Sequence, residues 1–187
     1  MYSILLLEDD LLFASSIEDF LVCEGFCVDI AKDGEEVFDF TFHKNYDLYI
    51  FDWDGTLMNT TQTIVDGTTH ACKVLGLNVI SDDLARSIIG KSFIEVVTDI
   101  VPELRGNPEL FQKFVAIYEQ YLNDHTLDNP VFMHVKETLD KLTAEGKFLT
   151  IATGRSRAML DDILAGTGYG HYFMLTKTAC ECFSKPH

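Results

Sequence analysis

Asp52 and Asp54 stand two residues apart in the run Ile50-Phe51-Asp52-Trp53-Asp54-Gly55-Thr56-Leu57. One carboxylate of such a pair can attack phosphorus and carry the phosphoryl group. The other can protonate the leaving oxygen and then take a proton from the entering water. Two acids this close crowd negative charge, so a phosphate dianion needs a hard divalent cation, Mg²⁺, before it can approach. Gly55 lets the backbone turn away directly after the pair. The bland alternative is an N-capping Asp-Gly turn without chemistry. A second acidic cluster, Glu8-Asp9-Asp10, follows the apolar run Ile4–Leu7. By itself it reads as acid at a helix start, where the dipole favours it.

The elements that position these groups alternate between strand and helix. Ile4–Leu7 is continuously apolar, as expected of a strand buried on both faces. Leu12, Phe13, Ser16, Ile17, Phe20 and Leu21 follow helical spacing, and Gly25 stops that helix. Phe26–Ile30 is a second strand, a helix runs through Val37, Phe38 and Phe42, and Leu48–Phe51 is a third strand ending at Asp52. Residues 63–127 contain no convincing strand. Helical spacing recurs there in Ile64–Leu75, Asp83–Ile88, Phe93–Ile100 and Pro108–Leu122, with breaks at Gly76, Gly90 and Pro102 to Pro108. Alternation resumes with helix Val135–Leu142, strand Phe148–Ala152, helix Ala158–Leu164 and strand Tyr172–Leu175. Such alternation indicates a doubly wound parallel α/β sheet of about five strands, with ligands collected at the carboxyl ends of the strands. The helical stretch is an inserted cap.

The chain has 187 residues and a formal charge of −16, with 30 acids against 14 lysines and arginines. Residues 1–47 hold 12 of the acids and only two lysines. This balance argues against nucleic acid as a partner, because phosphates are repelled. No stretch approaches the roughly 20 apolar residues of a membrane helix, and the start lacks the pattern of a secretory leader. The five cysteines, Cys23, Cys27, Cys72, Cys180 and Cys182, show no C-x2-C zinc spacing. A reduced, soluble, cytoplasmic protein is expected.

The run Asp52-Trp53-Asp54-Gly55-Thr56-Leu57 resembles the first motif, D-x-D-G-T-[LV], of the haloacid dehalogenase superfamily of phosphotransferases. The resemblance extends from about Asp47 to His187, and the insertion looks like the cap of the phosphoglycolate phosphatase branch. It implies that Asp52 is the nucleophile and Asp54 the acid and base. Ile151-Ala152-Thr153-Gly154-Arg155 looks like the second motif, which implies that Thr153 and Gly154 bind phosphoryl oxygens. Ser184-Lys185-Pro186 looks like the third motif, which implies that Lys185 pairs with the phosphoaspartate. The family's fourth motif, whose acids bind Mg²⁺, has no counterpart: the chain contains no Gly-Asp dipeptide. Asp161-Asp162 reads as a solvated helix face and Asp82-Asp83 as a helix start. The hydrolase-like part is therefore read as truncated.

The first half resembles a response-regulator receiver domain, on Ser3–Asp10, Gly25–Val28, Ala31–Glu36 and Tyr46–Leu48. That resemblance implies Glu8 and Asp9 as a Mg²⁺-binding pair, Asp10 as a weaker candidate, and Asp52 as phosphoacceptor. Joining the two families at the Asp52 strand gives the strand order Phe26–Ile30, Ile4–Leu7, Leu48–Phe51, Phe148–Ala152, Tyr172–Leu175. Glu8 and Asp9 then stand where the missing metal acids belong. The expectation is a recombined receiver and hydrolase chain, engineered rather than natural. Residues 1–47 form the receiver-like half of the core, 48–62 and 128–187 the hydrolase-like half, and 63–127 the cap.

The function expected is a Mg²⁺-dependent phosphatase working through an aspartyl-phosphate at Asp52. The metal would be held by Asp52, Asp54 through its carbonyl, Asp9 and Glu8, and turnover would be weak or absent. Its substrate would be a small phosphorylated metabolite or an acyl phosphate. Two alternatives stand beside it: a receiver-type phosphoacceptor and a catalytically silent fold. A histidine kinase is not expected as partner, because Asp54 as a built-in base hydrolyses the acyl phosphate. Lys91 in the cap is a weak candidate for substrate contact.

Overall fold

The structure is a computed structural model, and it describes residues 2–86, 93–178 and 181. In chain order its elements are β1 (Ser3–Leu7), α1 (Leu11–Cys23), β2 (Cys27–Ala31), α2 (Gly34–His43), β3 (Leu48–Phe51), α3 (Thr61–Leu75), α4 (Asp82–Arg86), α5 (Phe93–Ile100), α6 (Pro108–His125), α7 (Val135–Ala144), β4 (Phe148–Thr153), α8 (Arg157–Thr167) and β5 (Leu175–Thr178). The five strands form one sheet in the order β2-β1-β3-β4-β5, and every pairing is parallel. This is the doubly wound α/β fold and the strand order expected from the sequence.

The apolar pattern explains the sheet. Ile4, Leu5, Leu6 and Leu7 of β1 are all buried, as a strand covered on both faces must be. On one face Leu5, Leu7, Tyr49, Phe51, Leu149 and Ile151 share a core with Val37 of α2, Leu139 of α7 and Leu160 of α8. That core runs without a break from residues before Asp47 to residues after it. A polar clasp closes the opposite end of β1. Asp47 accepts the Ser3 N–H at 2.8 Å and the Ser3 hydroxyl at 3.0 Å, and its own N–H donates to the Ser3 carbonyl at 2.9 Å.

The final strand differs from the expectation. Tyr172 and Phe173 are buried, but Tyr169–Tyr172 is a 3-10 turn and β5 is Leu175–Thr178. The two aromatics are apolar because they plug the core beside the sheet. The strand itself lies at an edge, where Thr176, Lys177 and Thr178 carry little hydrophobic signal. β2 also sits one residue later than its apolar run.

Between β3 and α7 the described residues contain helices α3 to α6 and 3-10 turns, with no sheet strand. They bury a second core, in which Ile64 and Cys72 of α3 meet Val97 and Ile100 of α5 and Phe114, Tyr118 and Leu122 of α6. Gly67 permits the close approach of α3 to α6. A Cβ there would stand 3.1 Å from Tyr121, 3.3 Å from Tyr118 and 3.4 Å from Leu122. The two connections to the sheet run side by side. The Asn59 N–H donates to Pro130 O at 3.0 Å, and the Phe132 N–H donates to Leu57 O at 3.1 Å. Lys91, Cys180 and Cys182 lie outside the described residues. Cys23 and Cys27 are exposed, and Cys72 is buried.

Two outcomes are expected. Gly67→Leu should overpack the α3–α6 contact and cost about 2 kcal/mol in urea unfolding. The second concerns acid. Burial raises the Asp29 carboxyl, but the bonds from Lys44 and Tyr46 outweigh it and hold the carboxyl below its usual range. A depressed folded-state pKa stabilises above the unfolded value, and that contribution disappears as pH falls through the folded value. Asp29→Asn should therefore lower stability at about pH 7 and leave it unchanged near pH 2. The loss should stay under about 1 kcal/mol, because the pair is partly solvated.

Candidate active site

The parallel register brings the site together at the carboxyl ends of three strands. Leu7 pairs with Phe51, so the residues that follow them, Glu8 and Asp52, leave the sheet side by side. The Asp52 N–H donates to Leu7 O at 3.0 Å, and the Glu8 N–H to Ala31 O at 3.1 Å. Ile151 of β4 pairs with Phe51 on the other side, which places Thr153 at the same edge. Glu8, Asp52, Asp54, Thr153 and Arg155 are all buried, at 1%, 2%, 6%, 4% and 6% exposure.

Glu8, Asp9 and Asp52 each offer a carboxylate oxygen, and these oxygens lie within 4.8 Å of one another. Glu8 also accepts the Asp10 N–H at 3.2 Å, which fixes the turn after β1. Gly55 has φ +82°, and a Cβ at that position would stand 3.0 Å from Asp9 Oδ2. The glycine thus serves two ends: the left-handed backbone after the Asp pair, and room for the Asp9 carboxylate. An all-oxygen, strongly anionic donor set of this kind suits Mg²⁺ and not zinc.

Asp54 faces elsewhere. Its Oδ2 accepts Arg155 Nε at 2.7 Å. Its Oδ1 accepts Arg155 Nη2 at 2.6 Å and the Thr60 hydroxyl at 2.5 Å. Burial works against the Arg155 charge, but Asp54 outweighs it and pushes the guanidinium pKa above its ordinary value, with smaller help from Tyr118 and Asp52. Tyr118 reaches this pair from α6, and burial drives its hydroxyl pKa far upward. The Arg155 N–H donates to the Thr153 hydroxyl at 3.3 Å. Among the described residues, Arg155 Nη1, Trp53 Nε1 and Thr56 Oγ1 are buried without a hydrogen-bond partner.

Asp52, Asp54, Thr153, Glu8 and Asp9 therefore converge, with Gly154 following Thr153 at the end of β4. Lys185 lies outside the described residues. Asp10 is only partly exposed and its carbonyl accepts the Ala14 N–H in the first turn of α1. Asp161 is exposed and pairs with Arg157, and Asp82 and Asp83 form the first turn of α4. Arg155, Thr60 and Tyr118 were not singled out from the sequence. The only signal for Arg155 was a cation two residues after an apolar strand that ends in threonine.

A doubly wound parallel sheet with a helical cap, and a D-x-D-G-T-L turn at the end of its central strand, defines a class of α/β hydrolases. Residues 49–187 match the haloacid dehalogenase-like hydrolase family, and the chain belongs to it. A phosphoglycolate phosphatase from Vibrio cholerae is 27% identical over 142 residues, 70% of this chain and 60% of the relative. One from Agrobacterium fabrum is 30% identical over 134 residues, 67% of this chain and 55% of the relative. The chain thus spans somewhat more than half the length of these relatives. The crystal structure of a predicted phosphoglycolate phosphatase from Haemophilus somnus 129PT has a TM-score of 0.67 at 25% identity, over 78% of this chain and 68% of that one. No helix among the described residues is long and apolar enough to cross a membrane.

Gly55→Ala should lower stability by about 1 to 3 kcal/mol, from the left-handed backbone and the Asp9 contact together. In an Asp9→Ala background the same change should cost less, since only the backbone penalty remains. A double-mutant cycle in urea measures the difference.

Proposed function

We propose that the chain is a Mg²⁺-dependent phosphomonoesterase that works through an aspartyl-phosphate at Asp52, on a small phosphorylated metabolite or an acyl phosphate. The observation that carries this reading is the gathering of Asp52, Glu8 and Asp9 oxygens within 4.8 Å, beside a second buried carboxylate, Asp54, on the same strand end. Asp52, Asp9 and Glu8 would hold the cation, with the Asp54 carbonyl completing the set. When bound, the cation offsets the carboxylate charge so that a phosphate dianion can enter.

An Asp52 oxygen attacks phosphorus as the ester P–O bond breaks. Asp54 enters this step protonated, gives that proton to the departing oxygen, and is left as the carboxylate that Arg155 and Thr60 hold. Water then attacks the phosphorus of the acyl phosphate, Asp54 takes the water's proton, and Asp52 is released with inorganic phosphate. The Thr153 hydroxyl and the Gly154 N–H orient the phosphoryl oxygens, and Lys185 stabilises the added charge. Cap residues 63–127 cover the site during turnover, and Lys91 is a candidate contact for the rest of the substrate.

The family match begins at residue 49, and two of the acids assigned to the metal, Glu8 and Asp9, lie before it. We read residues 1–47 as a receiver-like half, joined to the hydrolase-like half at Asp52 by recombination. The support is the placement of β1 beside β3, with its acidic pair beside the nucleophile. Asp54 weighs against a long-lived phosphoacceptor in signalling, since it hydrolyses the acyl phosphate.

With Mg²⁺ present, the protein should hydrolyse 4-nitrophenyl phosphate or acetyl phosphate. Asp52→Asn should abolish turnover, and Asp54→Asn should leave a phosphoenzyme trappable by acid quench. Full activity in purified Asp52→Asn would assign the hydrolysis to a contaminant and end this reading. Millimolar Mg²⁺ should raise the Tm of the wild-type protein by mass action and leave Asp9→Ala unmoved. An equal response in both would remove Asp9 from the metal site.

A further inference from the structure

Among the described residues, Arg155 is the only buried cationic side chain. Two of its three guanidinium nitrogens hold Asp54. The third, Nη1, is buried and has no hydrogen-bond partner among the described residues. A charged donor in a sealed site is seldom left unmet, and where it is, the group it awaits is often a ligand. Asp54 has no need of it, since both of its oxygens already accept bonds from Arg155 and Thr60. The unused donor therefore has its partner outside the hydrogen bonds of the described residues.

The neighbourhood indicates what that is. The Arg155 N–H rests on the Thr153 hydroxyl at 3.3 Å, so the guanidinium is rooted two residues past the end of β4. Asp52 is near enough to favour the guanidinium charge. A phosphoryl group attached to Asp52 brings three anionic oxygens into this space, and the planar fork of arginine suits phosphate oxygens. Resting on the phosphatase reading of this site, we propose that Arg155 is a phosphate-binding residue: Nη1 takes a phosphoryl oxygen while Nε and Nη2 keep hold of Asp54. One guanidinium then fixes the phosphoryl group and the acid-base carboxylate relative to each other.

The test is inorganic phosphate binding by calorimetry with Mg²⁺ present. Removing Arg155 alone strands the buried Asp54 charge and endangers the fold, so the informative comparison is Asp54→Asn against Asp54→Asn/Arg155→Met. Both remove that charge, and circular dichroism checks that both are folded. The double variant should bind phosphate at least about tenfold more weakly than Asp54→Asn, a share of phosphate affinity fitting a charge-assisted pair. Equal affinity in the two folded variants overturns the proposal and leaves the phosphatase reading standing. A second measurement needs only the wild-type fold. Saturating phosphate should shift the Arg155 Nε–H resonance, assigned by its loss in Arg155→Lys, and an unmoved resonance overturns the proposal. If the wild-type protein binds no phosphate at millimolar concentration, both readings fall together.

Discussion

Crowded negative charge at one sheet edge is the constraint on which the rest of the structure depends. Glu8, Asp52 and Asp54 are buried, and Asp9 joins the first two within 4.8 Å. Buried carboxylates persist only where each is paired or hydrogen-bonded. Asp54 is matched by Arg155 and Thr60. Glu8, Asp9 and Asp52 bring carboxylate oxygens within 4.8 Å of one another, a concentration of negative charge that a divalent cation offsets. Asp54 is thus held by Arg155, while the other three acids form a cluster of their own.

That division depends on strand register. Sliding β1 by one residue against β3 would turn every side chain of β1 to the opposite face and carry Glu8 away from Asp52. Four adjacent buried residues, Ile4 to Leu7, hold the register, together with the Ser3–Asp47 clasp at the far end. The hydrophobic core on one side and a polar clasp on the other therefore determine where the carboxylates stand. The placement of Asp52 rests on leucines of the sheet core.

Much of this was legible in the residues. β1 and β3 are short apolar runs ending in acid, and a parallel sheet leaves little freedom about where those acids go. The strand order followed from joining two family patterns at one strand. β5 was misplaced because its neighbours Tyr172 and Phe173 carry the hydrophobic signal while the edge strand is half polar. The Asp54–Arg155 pair was illegible for a different reason. Its partners are 101 residues apart in sequence, and nothing local to either residue announces the other. Tyr118 was hidden by a third effect: on a cap helix of regular apolar spacing, an aromatic that approaches the active site has the same spacing as one that only fills the core.

Helix α8 shows why cap and site cannot be independent. It starts at Arg157, two residues after Arg155. Its Met159 belongs to the cap's apolar core, while its Leu160 and Ile163 belong to the core of the sheet. Arg157 in turn donates through Nη1 to the Thr176 hydroxyl at 2.7 Å and through Nη2 to the Thr176 carbonyl at 2.9 Å, tying the start of α8 to β5. Because packed cores shift between discrete arrangements and do not deform continuously, movement of α6 relative to Met159 is transmitted to the first turn of α8 or resisted there. That turn anchors the loop carrying Thr153, Gly154 and Arg155. The cap is therefore braced against the loop carrying Thr153, Gly154 and Arg155, through one helix belonging to both cores.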